Sequence, residues 1–90
     1  MFPYKLGSKN KEYFLMTTEE LIAKLSEMHE NALPRDSTTM IRLFGIKYAN
    51  ELKDCGDPIT EIARRSVGKS YHAEISKGIR LARYVKVIGA

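Results

Sequence analysis

Over every long stretch of this chain where apolar residues recur regularly, they recur with a helical period. Leu21, Ile22, Leu25 and Met28 fall at i, i+1, i+4 and i+7, one face of an amphipathic helix from Thr17 to about Asn31. Thr17 and Glu20 stand in capping-box relation at its start, and His29 lies near its end, where the helix dipole favours a cation. The stretch from Leu33 to Asp36, with Pro34 inside it, breaks the pattern. A second helix is expected from Ser37 or Thr38 to Asp54, with Gly56 just beyond its end. Its inward face is Ile41, Phe44, Tyr48, Leu52 and Cys55, and Gly45 and Ala49 on the same side leave room for another helix to approach closely. Leu43 and Ile46 widen the apolar arc, which suits either burial in a small bundle or a dimer surface.

The third periodic segment begins at Asp57, a carboxylate able to accept orphan N–H groups, followed by Pro58 at the first helical position. Ile59, Ile62, Ala63 and Ser66 then share one face, with Glu61, Arg64 and Arg65 outward. Val67 is β-branched and resists a positive φ, whereas Gly68 accepts one, so a tight break is expected here. Ser70 is placed to cap a last helix, from Ser70 to Tyr84. At about 100° per residue, Tyr71, Gly78, Ile79 and Ala82 project within about 60° of Ile75. Lys69, Ala73, Ser76, Lys77, Arg80 and Arg83 fall on the opposite side.

Residues 1–16 show no sustained period and read as an N-terminal arm or extension, leaving 17–90 as the helical domain. The segment from Glu12 to Met16 could pair with Tyr84 to Ile88, where Val85, Val87 and Ile88 favour strand, as a short ribbon beside the last helix. The expected fold class is therefore all-α: a small four-helix domain whose first two helices support the last two, with the option of a short terminal β-ribbon.

Composition adds bounds to that picture. Ninety residues build one modest core, and 43% hydrophobic with 29% charged residues is ordinary for a globular chain. No apolar run approaches the roughly 18 residues of a membrane span, and the start lacks the apolar segment of a signal peptide. A cytoplasmic location is expected, in keeping with a single cysteine, Cys55, that has no partner in the chain for a disulfide.

Charge sharpens the expectation more than composition does. Residues 17–57 carry five Lys/Arg against eight Asp/Glu, whereas residues 58–90 carry seven against Glu61 and Glu74. The excess of cations sits on the last two helices, as the footprint for a polyanion should. A helix with one buried stripe and an opposite face of small, hydroxyl and cationic groups suits the DNA major groove.

In these residues the chain resembles the helix-turn-helix family of DNA-binding domains, through Ile62 and Ala63, the glycine-bearing turn and the Ile75/Ile79 pair. The usual pattern has the turn glycine four residues after the alanine; here Gly68 stands five after Ala63, as if the turn were one residue longer. A looser likeness, from about Thr17 to Val87, is to small helix-turn-helix-like domains of bacterial and phage proteins, some restriction-associated. The resemblance implies a small regulator or DNA-recognition module that inserts its last helix in the major groove of double-stranded DNA. Lys69, Ser70, His72, Ala73, Ser76 and Lys77 would lie near bases or adjacent backbone, and Arg64, Arg65, Arg80 and Arg83 against phosphates. Such domains often bind as dimers, so a homodimer is admissible, although no dimer seam is legible.

Other chemistries fit less well. The run from Ala63 to Ser70, ARRSVGKS, is one glycine short of a phosphate-binding loop, but Ala63 lies inside an expected helix rather than after a strand. His29, His72 and Cys55 lack the close paired spacing of a zinc site, and no nucleophile stands in a family-specific context, so neither a metal, a cofactor nor enzymatic activity is expected. The rival of a different class is a helical protein–protein interaction module that ignores nucleic acid, docking through Leu43, Ile46 and the aromatics Phe2, Tyr4, Tyr13 and Phe14.

Overall fold

The computed structural model describes residues 16–88. Most of the arm at 1–16, with the aromatics Phe2, Tyr4, Tyr13 and Phe14, lies outside them. Among the described residues, five α-helices and one 3-10 turn follow in order: α1 Thr18–Glu30, α2 Ser37–Lys47, α3 Ala49–Asp54, α4 Ile59–Arg64, the 3-10 turn Lys69–Tyr71, and α5 His72–Leu81. Among the described residues there is no strand, and Tyr84–Ile88 runs as turn and irregular backbone. The residues expected to pair with it, apart from Met16, lie outside the described part.

α1 begins where the capping box puts it. The Thr17 hydroxyl accepts the Glu20 N–H at 3.1 Å, and the Glu20 carboxylate accepts the Thr17 N–H at 2.9 Å. Leu21 and Leu25 are fully buried, with Ile22 and Met28 packed beside them. The turn after α1 contains Arg35 at φ +76°, a left-handed residue between Pro34 and the start of α2.

The expected second helix is divided at Tyr48, whose backbone leaves the helical range at φ −110° and ψ 25°. Its N–H still reaches Phe44 O at 2.9 Å and its own carbonyl accepts Leu52 N–H at 2.8 Å, so the break is a bend rather than a loop. The Tyr48 ring packs against Phe44 at 5.3 Å between centroids, with the Lys47 ammonium 5.4 Å from its centre. No proline or glycine stands at that position, so the bend carries no signal in the local sequence.

Two expected caps are also corrected. Pro58, extended at ψ 154°, occupies the cap position of α4, which therefore starts at Ile59 without a side-chain cap. Asp57 stands one residue too early; its carboxylate accepts the hydroxyl of buried Thr18, which needs a partner once removed from water. That bond ties the start of α1 to the entry of α4. Ser70 likewise does not cap the last helix, because it lies inside the 3-10 turn closed by Tyr71 N–H on Gly68 O at 3.0 Å. The last helix is accordingly His72–Leu81 rather than 70–84, and Arg83 and Tyr84 follow it in tightened i→i+3 turns.

Between α4 and the 3-10 turn, the Ala63 carbonyl receives the N–H groups of Ser66, Val67 and Gly68 at 3.2, 3.0 and 2.7 Å. Gly68, at φ +125°, then redirects the chain. The core gathers Leu21, Leu25, Ile41, Phe44, Leu52, Ile62, Ala63 and Ile75 from all five helices. α2 and α5 make the tightest crossing, backbone against backbone at Gly45 and Gly78. A Cβ on Gly45 would run into the Ile75 carbonyl and stand 3.0 Å from Gly78 Cα; one on Gly78 would run into the Arg42 carbonyl. Room for a close helix at Gly45 is therefore used, and the partner is the last helix. Leu43 and Ile46 are half-buried.

Candidate nucleic-acid interface

The α5 helix carries two opposed faces. Ile75 and Gly78 are buried against α2, with Tyr71, Ile79 and Ala82 half-buried at the edges. Lys69, Ala73, Lys77, Arg80 and Arg83 are exposed, and Ser76 is half-buried. Ser70 and His72 are exposed at the helix start, the His72 ring sitting 3.0 Å from the Lys69 carbonyl through Nδ1. Tyr71 turns the other way, its ring 6.2 Å from that of His29 at the end of α1.

The arginines of α4 and the following turn are engaged at home. Arg64 holds Glu61 through two bonds of 3.1 and 2.7 Å, and Arg65 reaches both oxygens of Glu19 on α1 at 2.8 Å. Hydrogen bonding to Arg64 keeps the Glu61 carboxyl below its ordinary range, and the same pair raises Arg64. Lys69, Arg80 and Arg83 make no ion pair among the described residues. The structure thus brings Lys77, Arg80 and Arg83 together along α5 and its end, while Arg64 and Arg65 are committed to carboxylates of α4 and α1.

Helical periodicity alone misses Arg42. This residue of α2 reaches across to α5, donating Nε–H to Glu74 Oε1 at 2.6 Å. The Glu74 carboxyl is held below its ordinary range by that hydrogen bond first, with the charges of Arg42 and Lys77 adding to it; Lys77 Nζ lies 3.7 Å away. Arg42, Lys77, Arg80, Leu81, Arg83 and Tyr84 line one open groove of about 540 Å³. The sequence signal was present but faint: a single cation within an otherwise apolar run, MIRLFGI.

A short helix, a tight glycine turn and a second helix whose outer face is small and cationic, braced by helices across its inner face, define a helix-turn-helix protein. The chain belongs to the family described as HTH-like domain, whose profile matches residues 17–88. No curated protein and no solved structure matches it. Membership in an HTH-like family points to DNA binding in general. Among the described residues no helix is long and apolar enough to cross a membrane, and no three His, Cys, Asp or Glu side chains are grouped to hold a metal ion.

Proposed function

We propose that this protein recognises DNA sequence as a small regulator or as the recognition module of a larger system, with α5 and the preceding 3-10 turn entering the major groove. The observation that carries the reading is the opposition on one short helix of buried Ile75 and Gly78 to exposed Lys77 and Arg80. Lys69, Ser70, His72, Ala73, Ser76 and Lys77 meet bases or adjacent backbone. Ala73 is small enough to touch a thymine methyl, and Lys77 reaches guanine acceptors. Arg80 and Arg83 meet phosphates; Arg64 and Arg65 join them by exchanging their carboxylate partners for phosphate. The protein acts without catalysis, in the cytoplasm, and two copies bind where the site is palindromic.

Titration of duplex binding against salt tests the reading. With several phosphate contacts, log affinity falls linearly as log salt rises, by about 0.9 per phosphate neutralised. The double variant K77E/R80E is expected to lose binding while its helical circular dichroism stays intact. A flat salt response in the wild type, or unchanged binding by the variant, overturns it. Selection of bound duplexes from a random pool then reports the site, and its symmetry reports the number of copies.

The exposed apolar residues Leu81, Tyr84, Val85 and Ile88 at the C-terminal end favour a second reading, a protein-docking module. Light scattering that shows assembly without any response to duplex would select it.

A further inference from the structure

The groove between α2 and the end of α5 concentrates like charge. Four cations, Arg42, Lys77, Arg80 and Arg83, line one open concavity, and Glu74 is the carboxylate that faces two of them. Cations gathered along one open groove, beside the exposed side chains of Leu81 and Tyr84, add their fields and draw an anion to it.

Within this cluster Arg42 has the geometry of a clamp. Glu74 takes only its Nε–H, and the Nη atoms make no hydrogen bond to the described residues. The Glu74 side chain is 21% exposed and that of Arg42 44%, so Arg42 is the more open of the pair to an incoming anion. A guanidinium held through Nε keeps its outer N–H donors available in a fixed plane, the arrangement that matches two oxygens of one phosphate. The backbone under Arg42 is fixed as well. Its carbonyl lies where a side chain on Gly78 would have to go, so the glycine crossing sets how far Arg42 stands from Lys77 and Arg80.

We propose that this groove seats a single backbone phosphodiester of bound duplex, with Arg42 on α2 as its principal clamp and Glu74 as the residue that positions Arg42. The inference rests on the DNA-binding reading above and adds a contact from outside the helix-turn-helix unit. The seat lies beside the outer face of α5, at the helix's C-terminal end. Its open shape suits one link of a continuous polymer better than a free ion. Arg42 therefore contributes affinity and register and reads no base.

The test combines protein and DNA variants, using duplex recovered by the selection described above. R42A is expected to weaken all duplexes alike, by roughly threefold to tenfold, and to reduce the salt slope by about one. Methylphosphonate substitution, which removes one phosphate charge at a time, should cost the wild type at each contacted phosphate, and at one position per bound copy that cost should be smaller in R42A by a similar factor. E74Q should shrink the penalty at that position and leave the other positions as they were, a change that general loss of stability does not produce. Free inorganic phosphate at millimolar concentration should compete weakly and equally against both proteins; selective competition against wild type would replace the phosphodiester with a free-phosphate site and overturn the proposal. An unchanged salt slope in R42A, or identical methylphosphonate profiles in wild type and R42A, overturns the seat while leaving DNA binding standing. A wild type that ignores duplex removes both.

Discussion

Replacing Gly78 by Ala places a methyl group where α2 and α5 touch backbone to backbone. In an isolated helix the change is favourable, because alanine exceeds glycine in helix propensity by about 1 kcal/mol. Here the new Cβ would overlap the Arg42 carbonyl oxygen and lie 2.9 Å from Gly45 Cα and 3.0 Å from Ile46 N, all backbone atoms that no rotamer change can move. Relief requires α5 to slide or lift from α2 on the order of 1 Å, which opens the packing around Ile41, Phe44 and Ile75, all fully buried. Forced overpacking costs about 1–3 kcal/mol where side chains can yield and more where only backbone faces the insertion. Against the propensity gain, a net loss of roughly 2 kcal/mol is expected, about 8–16 °C in Tm for a domain of this size.

The assay is thermal and urea unfolding followed by far-ultraviolet circular dichroism, with G45A and the double variant G45A/G78A alongside. Since both methyls press on one crossing, the double variant should lose less than the sum of the single losses. Gly56, at φ +92° with nothing within 4 Å of a built Cβ, serves as the contrast. G56A should cost about 1–2 kcal/mol through backbone strain alone, with no coupling to G45A. A G78A protein as stable as wild type, or stabilised by the propensity increment, would refute the close crossing and the register it imposes on Arg42.

Two further stability experiments probe other joints. T18V removes the hydroxyl that holds Asp57 and should cost about 1–2 kcal/mol by urea denaturation; an unaffected midpoint would mean the link between α1 and the entry of α4 is dispensable. The lowered carboxyls of Glu74 and Glu61 give a pH dependence of definite sign. A depressed folded-state value means stability present above the ordinary glutamate value of 4.5 and lost as pH falls through the lowered one. R42A should therefore melt below wild type at neutral pH, with the gap closing under acid; a gap that persists in acid would assign the effect to packing of the arginine stem instead.

What the sequence determines by itself is what nearest neighbours along the chain determine. The capping box at Thr17 and Glu20, the buried stripe of α1 at Leu21 and Leu25, the positive φ of Gly68 and the two-faced α5 all follow from spacings of five residues or fewer. The helix-turn-helix character was legible for the same reason, since its turn and both helices are contiguous. Tertiary structure decided wherever a residue's best partner lay far along the chain. Asp57 was read as a cap because its neighbour is Pro58, yet buried Thr18, 39 positions away, claims its carboxylate. Arg65 reads as an outward cation until folding brings Glu19 to it, and Arg42 carries only a faint signal of its own until the Gly45/Gly78 crossing brings Glu74 alongside. Periodicity gives the direction in which each side chain leaves its own helix; the separation and register of two helices come only from what packs between them, and here that is two glycines with no side chains at all.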